Sequence, residues 1–251
     1  MAFKKAVKAG EKKKYGNTPL LDAGTYDARV LSIVDLGLQP GSPQYPEPKL
    51  KLEFRFELLD EFMVSEDGSV DEKAPRVFSF EVTYNEDGYM DEKANIYKLI
   101  SAIPDGFTLD LNEMIGAPVT VMIQKYKKQS GKNAGKEDNK ITSVLPMKAK
   151  NISVAGPLVN TPFFFDLGEP DLAVWKKLFK GNQYAHQDRI MASPSFQGSK
   201  LQKLLGIEAP EHEEEATESD GFEDVDVDAD VPDMSDDTQE HLPVDAEEEL
   251  Y

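Results

Sequence analysis

The chain has no cysteine in 251 residues, which excludes a disulfide framework and any thiolate metal site. That composition suits a reducing, cytosolic setting. Histidine is nearly as scarce: only His186, His212 and His241 occur, too few for a histidine-centred triad or zinc site to be read from the sequence. No segment reaches the ~18 apolar residues of a membrane helix. No apolar run of about 7 to 15 residues follows the lysine-rich start, as a secretory signal would require. Neither Gly-x-x-x-x-Gly-Lys nor Gly-x-Gly-x-x-Gly occurs, so the nucleotide-cradling loops lack their backbone. These absences argue against an enzyme. They lead us to expect a soluble, cytoplasmic binding protein with no cofactor, no metal and no membrane association.

Charge, by contrast, is abundant and unevenly spread. Of 47 acidic residues 20 lie from Glu208 to the end, where no Lys or Arg occurs, and the other 27 stand against all 28 Lys and Arg, so a body of +1 precedes a tail of −20. Blocks of like charge resist collapse and serve as interaction tails. Pro210, Pro232 and Pro243, with Gly221, break any helix or strand there. Residues 208 to 251 are therefore expected to be a disordered acidic tail. A coil of about 44 residues spans roughly 35–40 Å, enough to reach across a domain of this size. Asp224, Asp226, Asp228 and Asp230 imitate the start of a calcium loop. However, Ala229 stands at the turn glycine and Ser235 at the closing glutamate, so only adventitious cation binding is expected.

Residues 1 to 19 read as a flexible basic arm carrying Lys4, Lys5, Lys8, Lys12, Lys13 and Lys14. Residues 24 to 34 are rich in β-formers and predict a first strand; residues 37 to 48, with four prolines and two glycines, predict a loop. The second strand is the clearest element: Leu50, Leu52, Phe54, Phe56 and Leu58 alternate with Lys51, Glu53, Arg55 and Glu57. One apolar and one charged face predict a sheet packed on a core from one side only. A turn over 66 to 73 precedes a third strand, 76 to 84, with Phe78, Phe80, Val82 and Tyr84 on one face. Ile96, Leu99, Ile100 and Ile103 then recur at helical spacing behind Asp91 as a cap, and Pro104 and Gly106 end the run. Strands follow at 118 to 126 and 140 to 145.

Three strands, a helix and two strands is the order of an OB-fold, a five-stranded Greek-key barrel whose loops and second and third strands bind oligonucleotides. Other small barrels share that order. Residues 20 to 150 are assigned to it. Over 151 to 207, the apolar cluster 161 to 165, the stripe Leu172, Trp175, Leu178 and Phe179 behind Asp171, and the run from Ser195 through Phe196, Leu201, Leu204 and Leu205 predict a helical extension packed on the barrel. Trp175 is its expected anchor. The fold class is thus mainly β with added helices.

Between Lys125 and Lys150 eight lysines meet two acids, Glu137 and Asp138, a local charge of +6 in a chain of −19. Lys125, Lys127, Lys128, Lys132 and Lys140 surround Tyr126 near the loop between the fourth and fifth strands, a place where OB-folds grip nucleic acid. Lys51, Arg55 and Arg76 would extend that track along the outward face of strands two and three. Tyr26, Tyr84 and Tyr126 are candidates for base stacking, worth about 1–3 kcal/mol per base. The plainer alternatives are a solvated hairpin and core tyrosines.

Residues 19 to 29, Pro-Leu-Leu-Asp-Ala-Gly-Thr-Tyr-Asp-Ala-Arg, and 35 to 39, Asp-Leu-Gly-Leu-Gln, with the strand order and the acidic end, resemble bacteriophage single-stranded DNA-binding proteins. The likeness runs loosely over residues 19 to 207, and over the tail by character. It implies an OB-fold that coats single-stranded DNA during replication, recombination or repair in the host cytoplasm. It also implies that the tail tip, here Glu247, Glu248, Glu249, Leu250 and Tyr251, recruits replication proteins such as a polymerase or helicase. The Asp-rich Pro-Phe tip of bacterial counterparts is absent. Two other classes stay open: a DNA-mimicking or chaperone-like interaction protein acting through its tail, and a viral structural or assembly protein. Each is compatible with a homo-oligomer.

Overall fold

A strand with one face on a core and one in water alternates apolar and polar residues; residues 28 to 36 do not, and the reason lies in their surroundings. In a computed structural model the described residues are 15, 18–41, 46–128, 134–182 and 184–207, all within one compact unit. Of the basic arm expected over residues 1 to 19, residues 1 to 14, 16 and 17 lie outside them, as do the acidic tail and its calcium-like run, while Thr18 and the Pro19 carbonyl are hydrogen-bonded to Val64 and Arg76. Strand β1 (Gly24–Gln39) has Ala28, Val30, Ile33, Val34 and Leu36 all at 0% exposure. Two bulges against β2 (Lys49–Val64), at Val30/Ser32 and Asp35/Gly37, shift the alternation. Ala28, Val30 and Ile33 join one apolar cluster, while Val34 and Leu36 join another. A strand covered on both faces reads as a continuous apolar run.

The loop expected from residue 37 therefore starts later. Gly37 keeps the chain in the sheet at φ +67°, its N–H donating to Asp35 Oδ1 at 2.9 Å. Likewise β3 (Val70–Tyr84) begins inside the expected turn. Only Ser65 to Ser69 turn, closed by the Ser65 N–H on the Ser69 carbonyl at 2.9 Å, and Val70 and Asp71 already pair with Val64 and Met63. Helix α1 (Asn95–Ala102) buries Ile96, Leu99 and Ile100 as expected, but its N-cap is Ala94. Asp91 instead accepts from the Lys93 N–H at 2.7 Å, tightening the preceding turn. Strands β4 (Pro118–Lys127) and β5 (Glu137–Pro146) follow.

The sheet runs β3-β2-β1-β4-β5 with every neighbour antiparallel. A short β6 (Phe163–Phe165) adds in parallel to Ser32–Val34 of β1. The fold is mainly β, with few and short helices. β3 and β5 touch but share no ladder, and α1 lies against both. The sheet does not close into the five-stranded barrel expected from the sequence: among the described residues no hydrogen-bonded ladder joins β3 to β5, and α1 packs at that seam. The first cluster packs between the sheet and α1, with Phe54 and Phe56 at 0% exposure; burying such a ring is worth about 1.5–3 kcal/mol.

The charged face of β2 is where the one-sided expectation fails. Glu53 and Glu57 are only 6% and 1% exposed, covered by residues 157 to 190. Glu57 accepts from the Val159 N–H (2.6 Å), the Asn160 N–H (2.9 Å) and Asn160 Nδ2 (2.7 Å), and Glu53 meets His186 Nε2 at 2.8 Å. A carboxylate can be buried when donors replace its water, and here the donors come from about a hundred residues away. The second cluster sits on this side: Val34 and Leu36 with Phe165, Leu167, Trp175, Leu178, Ile190, Phe196 and Leu201. Trp175 does pack on Phe165, at 5.6 Å between rings.

The helices there are single turns or little more. They are α2 (Ala149–Ile152), α3 (Leu172–Trp175), α4 (His186–Met191), which the sequence analysis missed, and α5 (Lys200–Leu205). Asp171 caps α3 as expected, accepting from the Ala173 N–H at 2.7 Å. The helix expected from Ser195 is instead a 3₁₀ turn, Pro194–Phe196, followed by α5 capped by Ser199.

Removing the Glu57 carboxylate leaves three donors without their acceptor beneath the covering segment. Glu57→Ala is expected to destabilise the protein by about 2–4 kcal/mol, read from the urea midpoint; a loss within ~0.5 kcal/mol, the usual range for surface sites, would show that the cover is not held there.

Candidate nucleic-acid interface

Where a strand pair ends, its last side chains escape the core, and at one end of this sheet those side chains are lysines. Gly24 of β1 pairs with Ile123 of β4, so the β4–β5 hairpin projects beyond the start of β1. The segment before β1 is tied to the hairpin by Asn139, which is buried: its Oδ1 accepts from the Leu21 N–H at 2.8 Å and its Nδ2 donates to the Leu21 carbonyl at 2.9 Å. This amide clamp sets Asp22 and Tyr26 beside the hairpin. Lys125 Nζ then meets Asp22 Oδ1 at 2.8 Å, and Lys128 Nζ meets Asp138 Oδ2 at 2.5 Å. The hydrogen bond and charge of Lys125 hold Asp22 below the usual carboxylate range, and those of Asp22 and Asp138 raise their lysines. Exposed pairs of this kind hold weakly against water and salt, so an incoming phosphate can replace either carboxylate.

Strand period divides the lysines between two faces. Tyr126 and Lys128 lie with Asp138 and Lys140 on one, and Lys140 Nζ stands 5.3 Å from the centre of the Tyr126 ring. Lys125 and Lys127 fall on the other. Arg76 reaches the same end: its Nη1 donates to the Pro19 carbonyl at 2.9 Å and it lies within electrostatic range of Glu61, Tyr26 and Asp138. Burial lowers the Arg76 guanidinium and raises the Tyr26 phenol, which donates to the Asp22 carbonyl at 2.8 Å. The structure thus gathers Arg76, Lys125, Tyr126, Lys127, Lys128 and Lys140, with Tyr26. Lys132 and the tail residues Glu247, Glu248, Glu249, Leu250 and Tyr251 lie outside the described residues.

The remaining candidates are elsewhere. Tyr84 pairs with Leu50, which pairs with Leu38. At about 3.3 Å per residue this is roughly 45 Å along β1 from the hairpin end. Its hydroxyl donates to Asp35 Oδ1 at 3.2 Å, and burial with the Asp35 charge raises the phenol strongly. Lys51 and Arg55 do lie on the outward face of β2, but that face is partly covered. Lys51 Nζ is 3.8 Å from Glu81, and the Arg55 guanidinium lies 4.9 Å over the ring of Phe179. Desolvation lowers Arg55. Phe179 itself, assigned to a core stripe in the sequence analysis, is 56% exposed. The signal that could have exposed the error is the run Lys176-Lys177-Leu178-Phe179-Lys180, where lysines crowd the ring on both sides. Among the described residues no group of three or more His, Asp and Glu forms a metal site, and no helix is long and apolar enough to cross a membrane.

Burial raises Asp35, against hydrogen bonds from Gly37 and Tyr84. A carboxyl with a folded pKa above its unfolded value binds its proton more tightly when folded. Its ionised form therefore weakens the fold at neutral pH, and that penalty fades as pH falls through the folded pKa. The stability of Asp35→Asn relative to wild type is expected to rise between about pH 4 and pH 8, measured by urea unfolding; a constant difference would contradict the assignment.

Family models, curated proteins and solved structures were each compared with the chain, and none matches it.

Proposed function

We propose that the protein binds single-stranded DNA with little sequence preference, as a phage-type coating protein serving replication, recombination or repair. The observation that carries this reading is the hairpin end, where Lys140 and Lys128 share a face with Tyr126, and Lys140 Nζ stands 5.3 Å from the ring centre. An aromatic face with cations beside it is what unpaired nucleic acid requires. Bases stack on the ring, phosphates meet the ammonium groups, and no base edge is read. The strand path β3-β2-β1-β4-β5 with a helix between β3 and β4 also fits the partly open barrel of an OB-fold. The weak pairs of Lys125 with Asp22 and Lys128 with Asp138 give a resting state that phosphates can displace.

The acidic tail, at −20, is the natural competitor for this surface. A tethered segment acts at an effective concentration of the order of millimolar, so DNA would release the tail and leave Leu250 and Tyr251 for a polymerase or helicase. If about five phosphates are held, log K falls against log salt with a slope near −3.5.

The test is fluorescence anisotropy of a labelled single-stranded 30-mer at two salt concentrations, with a duplex competitor. Replacing Lys127, Lys128 and Lys140 by Glu is expected to weaken binding at least about tenfold, and deleting residues 208 to 251 to tighten it, most at low salt. Absence of binding by both the full chain and the tail-less form would sink the proposal and leave the tail's own partners as the function.

A further inference from the structure

We infer that Phe179, carried by the C-terminal segment and laid over the outward face of β2, is a second base-stacking platform for an unpaired strand. This rests on the single-strand reading above and adds to it a surface remote from the hairpin. Phe179 is 56% exposed as a residue, yet its base is built from buried groups. Gln187, itself buried, donates from Nε2 to the Trp175 carbonyl at 2.7 Å and from its backbone N–H to the Phe179 carbonyl at 3.0 Å. The buried His186 ring lies 5.4 Å from Phe179, held by Glu53 at 2.8 Å. Arg55 occupies one side of the ring, 4.9 Å from its centre. An exposed phenyl ring gains little from burial, so a rigid buried mount for it makes sense if something else covers the ring.

The surrounding charge specifies what that is. Lys176, Lys177 and Lys180 are exposed within three residues of Phe179, and none of the three has an ion pair among the described residues. The carboxylates nearby are committed: Glu53 to His186, Glu81 to Arg189 at 2.6 Å, and Asp188 to the Gly181 N–H at 2.8 Å. The patch therefore offers an aromatic surface and an arginine with free cations around them, and an anion carrying flat rings complements both. A single nucleic-acid strand has that chemistry. An acidic protein segment supplies the anions without a succession of rings. Arg55 adds a cation to the patch, since its guanidinium lies 4.9 Å over the Phe179 ring, and a guanidinium can stack on an aromatic ring and pair with a phosphate together.

The experiment uses the full chain with an oligo-dT 30-mer carrying 5-iododeoxyuridine, comparing wild type, Phe179→Ala and Phe179→Trp. Phe179→Ala is expected to weaken binding by about 5- to 30-fold, within the range for losing one stacked base, with an unchanged thermal midpoint. Phe179→Trp is expected to bind within about threefold of wild type, and its added indole to be quenched by the oligonucleotide. Photocrosslinks on the wild-type chain should map to the peptide containing Phe179. If wild type binds and the hairpin lysine variant loses binding, but Phe179→Ala binds as wild type and no crosslink falls at Phe179, the platform is refuted and the single-strand reading stands. If wild type does not bind the strand at all, both fall together. Should Phe179→Ala prove unstable, the Phe179→Trp quench and the crosslink map decide alone.

Discussion

One strand has to serve two cores. β1 is buried on both faces, and two bulges divide its side chains: Ala28, Val30 and Ile33 go to one cluster, Val34 and Leu36 to the other. Because side chains alternate along a strand, a bulge is the only way to change which face a residue serves without leaving the sheet. Gly37 at the second bulge admits no larger residue, since a Cβ there would lie 2.8 Å from Leu167 and 2.9 Å from Ser195. The end of β1 is then joined to the C-terminal segment: Ser195 Oγ accepts from the Leu38 N–H at 2.9 Å and Ser193 Oγ donates to the Leu38 carbonyl at 2.8 Å. Without that strand neither cluster has a wall.

The consequence is a second layer on what looks in the sequence like a solvent face. Covering a sheet face that holds Glu53, Arg55 and Glu57 requires a partner for every charge, and the C-terminal segment supplies them as His186, Phe179 and the amides of Val159 and Asn160. An apolar cover would have left those carboxylates unpaired at a cost of several kcal/mol each. The segment's helices α3, α4 and α5 run four to six residues, with α4 packed on β1.

The two proposed contact surfaces differ in how they are held. At the hairpin Lys125 and Lys128 rest against Asp22 and Asp138 in surface pairs that salt or phosphate would weaken, whereas Phe179 stands on hydrogen bonds of the buried Gln187. A strand passing over the protein would meet an adaptable, salt-sensitive grip at one and a fixed stacking surface at the other.

Several features follow directly from residue order. The alternation of Leu50 to Leu58 predicts β2, the spacing of Ile96, Leu99 and Ile100 predicts α1, Asp171 predicts the cap of α3, and the polyanionic character of residues 208 to 251 is a matter of counting. These depend on interactions within a few residues or on composition, which sequence carries. The extension of β1 past Gly37, the burial of Glu53 and Glu57, the strand at 163 to 165 and the exposure of Phe179 were hidden, as was the separation of Tyr84 from the hairpin. Each is set by a partner far along the chain: Ser193 and Ser195 for Gly37, Asn160 and His186 for the glutamates, Ser32 for Phe163. The sequence alone thus determined the mainly β character, the order of the first five strands and α1 along the chain, and the division of charge between body and tail. Tertiary structure decided which faces are covered and which basic groups stand together, because a residue's exposure depends on what folds over it, and that is not a local property.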